Sequence, residues 1–175
     1  MVKSCGIKFL AVCFLLAALP VQAAEEKIVS KYTSTARSQS ISFEESEAED
    51  GPGFHGLFRG LGGYQLEYLS GDARSWLNLR FDQQTIDLYL PTMKAAGGAF
   101  PHKANDVVEW RGTETGGRFK PYAIIYRITT SDDETRKTKT RLLVIKLAGE
   151  HSAVVGSAEG ANEEAEAKQL ADRAK

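Results

Sequence analysis

Three histidines, His55, His102 and His151, are the side chains best suited to metal binding or to proton transfer near neutral pH. Metal ligands on one face of a strand are two residues apart, and on one face of a helix they are three or four apart. None of the three has another histidine or a carboxylate at such a spacing on a predicted strand or helix. We therefore expect surface or capping histidines, no metal site and no cofactor. A small hydrolase that uses His55 or His102 with a carboxylate is kept as a third functional hypothesis.

The acidic run at residues 44–50 is followed by Gly-Pro-Gly at residues 51–53, which joins like charges to backbone breakers. This composition predicts a solvated loop. Clustered carboxylates also attract calcium, but the spacing does not follow a calcium-loop pattern. The glycines of residues 51–63 precede a strand and no Gly-Lys-Ser/Thr follows them, so we expect a turn or bulge and no phosphate loop.

Asp72 and Arg74 lie in a predicted turn ahead of an apolar strand. Asp72 is suited to bonding the backbone two residues on, and Arg74 to binding a carboxylate or a carbonyl through its guanidinium fork. We expect a structural role for this pair, with ligand contact as the alternative. A serine nucleophile is not indicated, because no Gly-x-Ser-x-Gly occurs and Ser75, Ser131 and Ser152 lack the context of one.

Four aromatic residues, Trp76, Tyr89, Trp110 and Tyr126, fall on predicted strands. An aromatic on a sheet belongs to the core, to a carbohydrate platform or to a protein contact. Trp110 shares a face with Val108, which predicts a core position. Trp76 lies on the face opposite the apolar residues of its strand, so both exposure and burial under a helix stay open.

Alternating apolar and polar residues predict the strands that position these side chains. They lie at residues 32–35, 41–43, 64–68, 77–81, 86–90, 108–111, 119–130 and 142–147, and residues 153–155 are left open as a last short strand. The turns between them are too short for crossover helices, so the strands should be antiparallel. The nearly continuous apolar run at residues 123–126 predicts a central strand covered on both faces. Residues 92–106, after Pro91, have little periodicity and should form the longest loop.

The C-terminus is the one segment with a helical pattern. Asn162 is a candidate N-cap, and Glu164 and Lys168 are spaced to pair across one turn. A narrow apolar stripe is suited to docking on a sheet; it comprises Ala167, Leu170, Ala171 and Ala174. The predicted fold is mainly β: a single antiparallel sheet or sandwich of about seven or eight strands with a C-terminal helix packed on it.

Residues 1–23 have the pattern of a secretory signal peptide. Lys3 and Lys8 precede or flank the apolar run at residues 9–19, and small side chains follow before Ala23. The run has eleven residues, fewer than the ~20 that a membrane-spanning helix needs. We therefore expect cleavage after Ala23 and a periplasmic location.

Cleavage would leave 175 − 23 = 152 residues, the size of one domain. We expect a β-rich domain over residues 24–161 followed by the helix at residues 162–175. Cys5 and Cys13 would be lost with the signal peptide, which excludes thiol catalysis and disulfides from the mature chain. The net charge would change from −1 to −3 with the loss of two lysines. No basic excess indicates nucleic acid binding, and no second apolar run indicates a membrane span after cleavage.

Four short motifs carry a resemblance to a known family. They are Gly-Leu-Gly-Gly-Tyr at residues 60–64, Gly-Asp-Ala-Arg-Ser-Trp-Leu at 71–77, Glu-Trp-Arg at 109–111 and Leu-Ala-Asp at 170–172. In this order they resemble a family of small uncharacterised periplasmic proteins of proteobacteria. The resemblance spans most of the mature chain and implies a secreted single domain of unassigned activity. Members often carry cysteines near the positions of Phe58 and Ala153, where this chain has none.

Compartment and fold are readable from the sequence, whereas catalytic groupings are not. The leading hypothesis is a non-catalytic binding or interaction module of the cell envelope, whose partner is an envelope protein or a cell-wall component. The alternative is a carrier or sensor of a small apolar ligand held between sheet and helix.

Overall fold

The computed structural model describes residues 25–48, 51–72, 74–132 and 134–175. The side chains of residues 48, 51 and 101–104 lie outside the description. The predicted signal peptide, with Cys5 and Cys13, lies outside the described residues. No helix in the described ranges is long and apolar enough to cross a membrane.

Ten strands and two α-helices occupy the described ranges, and a short 3-10 helix, Arg37–Gln39, joins the first two strands. They are β1 (Lys27–Ser34), β2 (Ser40–Ala48), β3 (Gly51–Arg59), β4 (Tyr64–Gly71), β5 (Arg74–Phe81), β6 (Gln84–Ile86), α1 (Tyr89–Ala95), β7 (Phe100–Thr115), β8 (Arg118–Ser131), β9 (Thr138–Lys146), β10 (Ala153–Ala158) and α2 (Glu163–Arg173).

The strands form two sheets of five. Sheet A has the order β1-β7-β8-β9-β10, and sheet B has the order β2-β3-β4-β5-β6. Every pair of neighbouring strands is antiparallel. The mainly β, antiparallel fold with a C-terminal helix is therefore confirmed, but the described residues hold two five-stranded sheets, more strands than predicted.

The main core combines side chains from both sheets. Alternation along β4 places Tyr64, Leu66 and Tyr68 in this core, as the sequence predicts. Sheet A supplies Val108, Trp110, Ile124, Tyr126, Ile128, Leu143 and Ile145, and sheet B adds Phe58, Leu77 and Leu79. Removal of this apolar surface from water is the principal force that holds the sheets together.

Strand β8 is the central strand of sheet A and is buried on both faces. Ile124 and Tyr126 contribute to the main core, whereas Ala123 and Ile125 belong to a second cluster with α2. Arg111 pairs with Ala123 but Gly112 pairs with Pro121, so Tyr122 is the extra residue of a bulge. The prediction of a strand covered on both faces is confirmed.

Residues 44–48 of the acidic run belong to a strand and not to the loop that their composition predicts, and residues 49 and 50 lie outside the described residues. Strand β2 continues to Ala48 and β3 begins at Gly51, with Glu45 opposite Phe54. Because β2 is an edge strand, its carboxylates stay in water while its backbone pairs. The rings of Phe43 and Phe54 stack with 5.2 Å between centroids, which fixes the pairing.

The predicted strand at residues 86–90 ends early. Strand β6 stops at Ile86, and α1 starts at Tyr89 inside what the sequence assigns to a strand and a long loop. The Asp87 carboxylate accepts the Tyr89 N–H at 2.9 Å, and the Thr92 N–H donates to the Leu88 carbonyl at 2.9 Å. Pro91 stands in the first turn of α1, where its missing N–H is not needed.

The rest of the predicted loop is also mostly regular. Strand β7 starts at Phe100, so residues 100–106 extend the β7–β8 hairpin. Residues 96–99 are all that remains between α1 and β7. Periodicity is weak here because register shifts interrupt the pairing of β7 with β8 after Pro101 and Ala104.

Helix α2 docks on the face of sheet A that points away from the main core. Ala167 and Ala171 are fully buried there, and Leu170 packs beside them. Glu164 and Lys168 lie 4.0 Å apart, as predicted. Asn162 occupies the N-cap position, as predicted, but its side chain does not make the expected capping bond; its carbonyl accepts the Glu166 N–H.

Candidate functional site

The histidines are not gathered into one site. His55 lies on β3 with its side chain half exposed, and its Nε2 is 3.8 Å from Glu67 Oε1, beyond hydrogen-bond distance. His151 is in an exposed turn, 3.5 Å from the neighbouring Glu150. The His102 backbone belongs to β7, and its side chain lies outside the described part. In that part, no three His, Cys, Asp or Glu side chains are grouped closely enough to hold a metal ion.

Glu67 is a buried carboxylate that the alternation of β4 assigns to the solvent face. Its side chain is 9% exposed, and Arg80 Nε lies 3.4 Å from its Oε1. The Thr85 hydroxyl is 3.5 Å from the same oxygen. Side chains of neighbouring strands thus cover this carboxylate and partly neutralise its charge, so we assign Glu67 a structural role in sheet B.

The serines and glycines singled out in the sequence have local structural roles where their contacts are described. The Ser152 hydroxyl donates to the Gly149 carbonyl and accepts the Ala148 N–H at 2.9 Å, so it closes a turn. Ser75 is buried and has a partner. Gly62 has a φ of 65°, and a Cβ there would lie 2.5 Å from Pro121 Cγ. A tight turn, as predicted, explains this glycine.

The turn at Asp72 and Arg74 does bring charged and aromatic groups together. Arg74 Nη2 lies 3.0 Å from Asp72 Oδ2, and Arg74 Nη1 donates to the Tyr89 hydroxyl at 2.8 Å. The guanidinium also lies over the ring of Phe100, 3.7 Å from its centroid. We call Asp72, Arg74, Tyr89 and Phe100 the Arg74 cluster.

The four aromatics divide into two pairs. Trp110 and Tyr126 are core residues: the Trp110 indole N–H donates to Thr33 Oγ1 at 2.8 Å, and burial raises the pKa of the Tyr126 phenol. Trp76 and Tyr89 contact each other, with 4.8 Å between ring centroids. Trp76 is half-buried against the first residue of α1, so the open question about this side chain is answered by α1 and not by α2.

A charged network fastens α2 to sheet A. Arg111 donates to both carboxylate oxygens of Asp172, at 2.8 and 2.9 Å, and the Tyr122 hydroxyl donates to the same carboxylate. These hydrogen bonds from Arg111 hold the pKa of Asp172 below its usual value. Burial, followed by the bond to Asp172, raises the pKa of Tyr122. Because Arg111, Asp172 and Tyr122 form hydrogen bonds with one another, this network attaches α2 to sheet A and is not a reactive centre.

An apolar groove lies between α1 and the edge strand β10. Its volume is about 660 Å³, and Leu90, Pro91, Lys94, Ala95, Val154, Val155 and Gly156 line it. Leu90 is 72% exposed, the highest value among the large apolar side chains of the described residues, and Val155 is 38% exposed. We call this surface the α1–β10 groove. Two exposed apolar side chains, Leu90 and Val155, therefore lie on the same groove.

Two local features shape the α1–β10 groove. The pairing of β10 with β9 skips Val155, which is the extra residue of a bulge between Val154 and Gly156. The Ser157 hydroxyl donates to the Ala95 carbonyl at 2.8 Å and ties the end of α1 to β10. The helix and the strand are therefore joined at one end of the groove.

The sequence reasoning missed this groove. It placed Leu90 with Ile86 and Leu88 on the buried face of one strand, whereas Leu88 is buried and Leu90 is exposed on α1. A useful signal was Pro91, which is compatible with the first turn of a helix. A helix that begins at Tyr89 moves Leu90 away from the face that a strand would give it.

Comparisons of the chain with models of protein families, with curated proteins and with solved structures found no match. The resemblance to small periplasmic proteins of proteobacteria stays a prediction. What the chain does must therefore be argued from its own surfaces.

Proposed function

We propose that this chain is a non-catalytic, periplasmic binding protein that holds a protein of the cell envelope through the α1–β10 groove. The observation that carries the proposal is the exposure of Leu90 beside Pro91 and Val155 in an open groove. The predicted signal peptide supports the location.

The contacts of the groove indicate the chemistry of the partner. Its walls are mostly aliphatic, and Lys94 is the one charged residue among those that line it. An apolar segment that carries a carboxylate beside its apolar side chains would cover Leu90 and Val155 and pair with Lys94. Protein interfaces combine an apolar centre with a polar rim, and the aliphatic walls and Lys94 follow that arrangement.

The test uses mature protein, residues 24–175, with a photo-crosslinking amino acid at position 90. Ile41, which is 48% exposed on the edge strand β2, provides the matched control position. We expect one envelope protein to crosslink at position 90 and not at position 41, and Leu90→Asp to abolish its capture by the unmodified protein. Equal crosslinking at both positions, or turnover of a cell-wall substrate by the purified protein, would contradict the proposal.

A carrier of a small apolar ligand is the second candidate. The volume of the groove is within the range of ligand sites, about 300–1,000 Å³. The space between α2 and sheet A, where the sequence hypothesis puts a ligand, is filled at Ala167 and Ala171, which are fully buried. Native mass spectrometry of protein purified from the periplasm discriminates the two: a bound small molecule, lost in Leu90→Asp, would favour the carrier.

A further inference from the structure

Arg74 is held in place by groups that leave part of its guanidinium free. Phe100 covers one face of the guanidinium, and the Tyr89 hydroxyl takes a hydrogen bond from Nη1. The Arg74 side chain is still 30% exposed. A guanidinium has five N–H donors in a fixed fork, so an arginine fixed in this way can accept a further partner without first losing its own freedom.

The present partner of Arg74 is a carboxylate that is easily replaced. Asp72 Oδ2 lies 3.0 Å from Arg74 Nη2, and the Asp72 side chain is 64% exposed. It lies in a turn with a φ of 50°, outside the strands. An exposed ion pair of this kind contributes little to stability.

We infer that the Arg74 cluster is a binding site for an external carboxylate, which exchanges with that of Asp72. The carboxylate of Asp72 already occupies one arm of the guanidinium and so indicates which anion the site accepts. A ligand carboxylate would meet the planar fork of Arg74 through both oxygens. The neighbouring rings of Phe100, Tyr89 and Trp76 favour a carboxylate on an aromatic or aliphatic body over a bare anion. The site shares no residue with the α1–β10 groove, and the inference does not rest on the proposed function.

The experiment is a titration of ¹⁵N-labelled mature protein with phenylacetate, acetate and inorganic phosphate, followed by NMR. The chain has two tryptophans, so the spectrum contains two indole N–H signals, and both can be followed during the titration. That of Trp76 lies beside Tyr89, while that of Trp110 is bonded to Thr33 in the core and serves as an internal control. We expect phenylacetate to shift the Trp76 signal and not the Trp110 signal, with weaker binding of acetate and phosphate.

Two variants should change the affinity in opposite directions. Asp72→Asn removes the internal competitor and should tighten phenylacetate binding about two- to fivefold. Arg74→Gln should abolish binding, and Arg74→Lys, which keeps the charge but loses the fork, should weaken it at least about tenfold. Arg37→Gln is the matched control, because Arg37 also pairs with a carboxylate and lies over a phenyl ring, yet is far more exposed. It should leave the affinity unchanged.

Three results would overturn the assignment. Binding retained in Arg74→Gln, or an affinity that Asp72→Asn leaves unchanged or weakens, would show that the carboxylate does not exchange at Arg74. Phosphate binding as tightly as phenylacetate would assign the cluster to anions in general. If Arg74→Gln unfolds, as its amide spectrum would show, the comparison of Asp72→Asn with Arg74→Lys decides by itself.

Discussion

The two α-helices in the described ranges use sheet A in opposite ways. Helix α2 presents the small side chains of Ala167 and Ala171 to the sheet, and both are fully buried. Helix α1 packs Thr92 inward, with Ala96 buried just after its end, but directs Leu90 into water beside β10. Small residues allow close approach along the whole contact of α2, whereas α1 leaves a groove with apolar walls.

The electrostatics of the two regions differ in the same sense. Around α2, Arg111, Asp172 and Tyr122 satisfy one another, and Arg127 pairs with Glu163. In the α1–β10 groove, Lys94 stands among aliphatic residues. The contact between α2 and sheet A is therefore complete within the chain and supports the fold. The α1–β10 groove, in contrast, has the composition of a surface that a partner would cover.

The largest expected effect is a loss of stability at the interface between α2 and sheet A. Ala167→Glu would place a carboxylate where the side chain is fully buried, and should lower the free energy of unfolding by about 3 kcal/mol. Ala165→Glu is the matched control on the exposed side of α2, and should change stability by less than about 0.5 kcal/mol. Urea denaturation measures both. Equal effects would mean that α2 does not dock as described.

Removal of the hydrogen bonds between Arg111 and Asp172 should have the next largest effect on stability. Asp172→Asn breaks the paired bonds to Arg111 and should cost about 2 kcal/mol at pH 7. The pKa of Asp172 is lowered in the folded state, so its contribution is complete above the unfolded pKa, near 4, and is lost as the pH falls through the folded value. The difference in unfolding free energy between wild type and Asp172→Asn should therefore shrink below about pH 4. A difference that stays constant down to pH 2 would contradict this account.

A smaller effect is expected where the bulge shapes the groove. Gly156 has a φ of 152°, and a Cβ there would lie 3.0 Å from Leu170 Cδ2. Gly156→Ala should therefore cost about 1 kcal/mol and disturb the position of Val155. Gly71→Ala meets nothing within 4 Å and is the control, with no loss expected in thermal unfolding. Equal stability of the two variants would contradict the claim that the bulge requires a glycine at position 156.

The smallest effect concerns Lys94 at the groove. Lys94→Gln should leave stability unchanged and weaken partner binding about two- to fivefold at low salt, because it removes one exposed ion pair. The difference should fade as ionic strength rises, since exposed charges are screened. Binding measured by interferometry at two salt concentrations checks this. A loss that is independent of salt would assign Lys94 a packing role.

Much of the fold could be predicted from the sequence because its strands obey local rules. The alternation of Tyr64, Leu66 and Tyr68 and the stripe of α2 each follow from one face being buried. The start of β2 was predicted at residues 41–43, but its acidic continuation to Ala48 could not be, because an edge strand tolerates carboxylates on its surface and its pairing with β3 is what makes it regular. Helix α1 was hidden because apolar residues on both sides of Pro91 fit either a strand or the first turn of a helix.

Less of the candidate site could be predicted. Asp72 and Arg74 are close in sequence and were recognised as a pair, but Phe100 is 26 residues away from Arg74 and reaches it only through the β7–β8 hairpin. The α1–β10 groove depends on a bulge at Val155 and on the position of a short helix. Both are set by tertiary packing, which local periodicity does not report.

The most direct test of the central claim compares stability and partner binding in Leu90→Asp. The account predicts that this substitution leaves the free energy of unfolding within about 0.5 kcal/mol of wild type, because Leu90 is exposed, and abolishes capture of the envelope protein that crosslinks at position 90. The same substitution at Ile41 should leave both unchanged. Undiminished binding by a folded Leu90→Asp protein would contradict the claim that the α1–β10 groove is an interface.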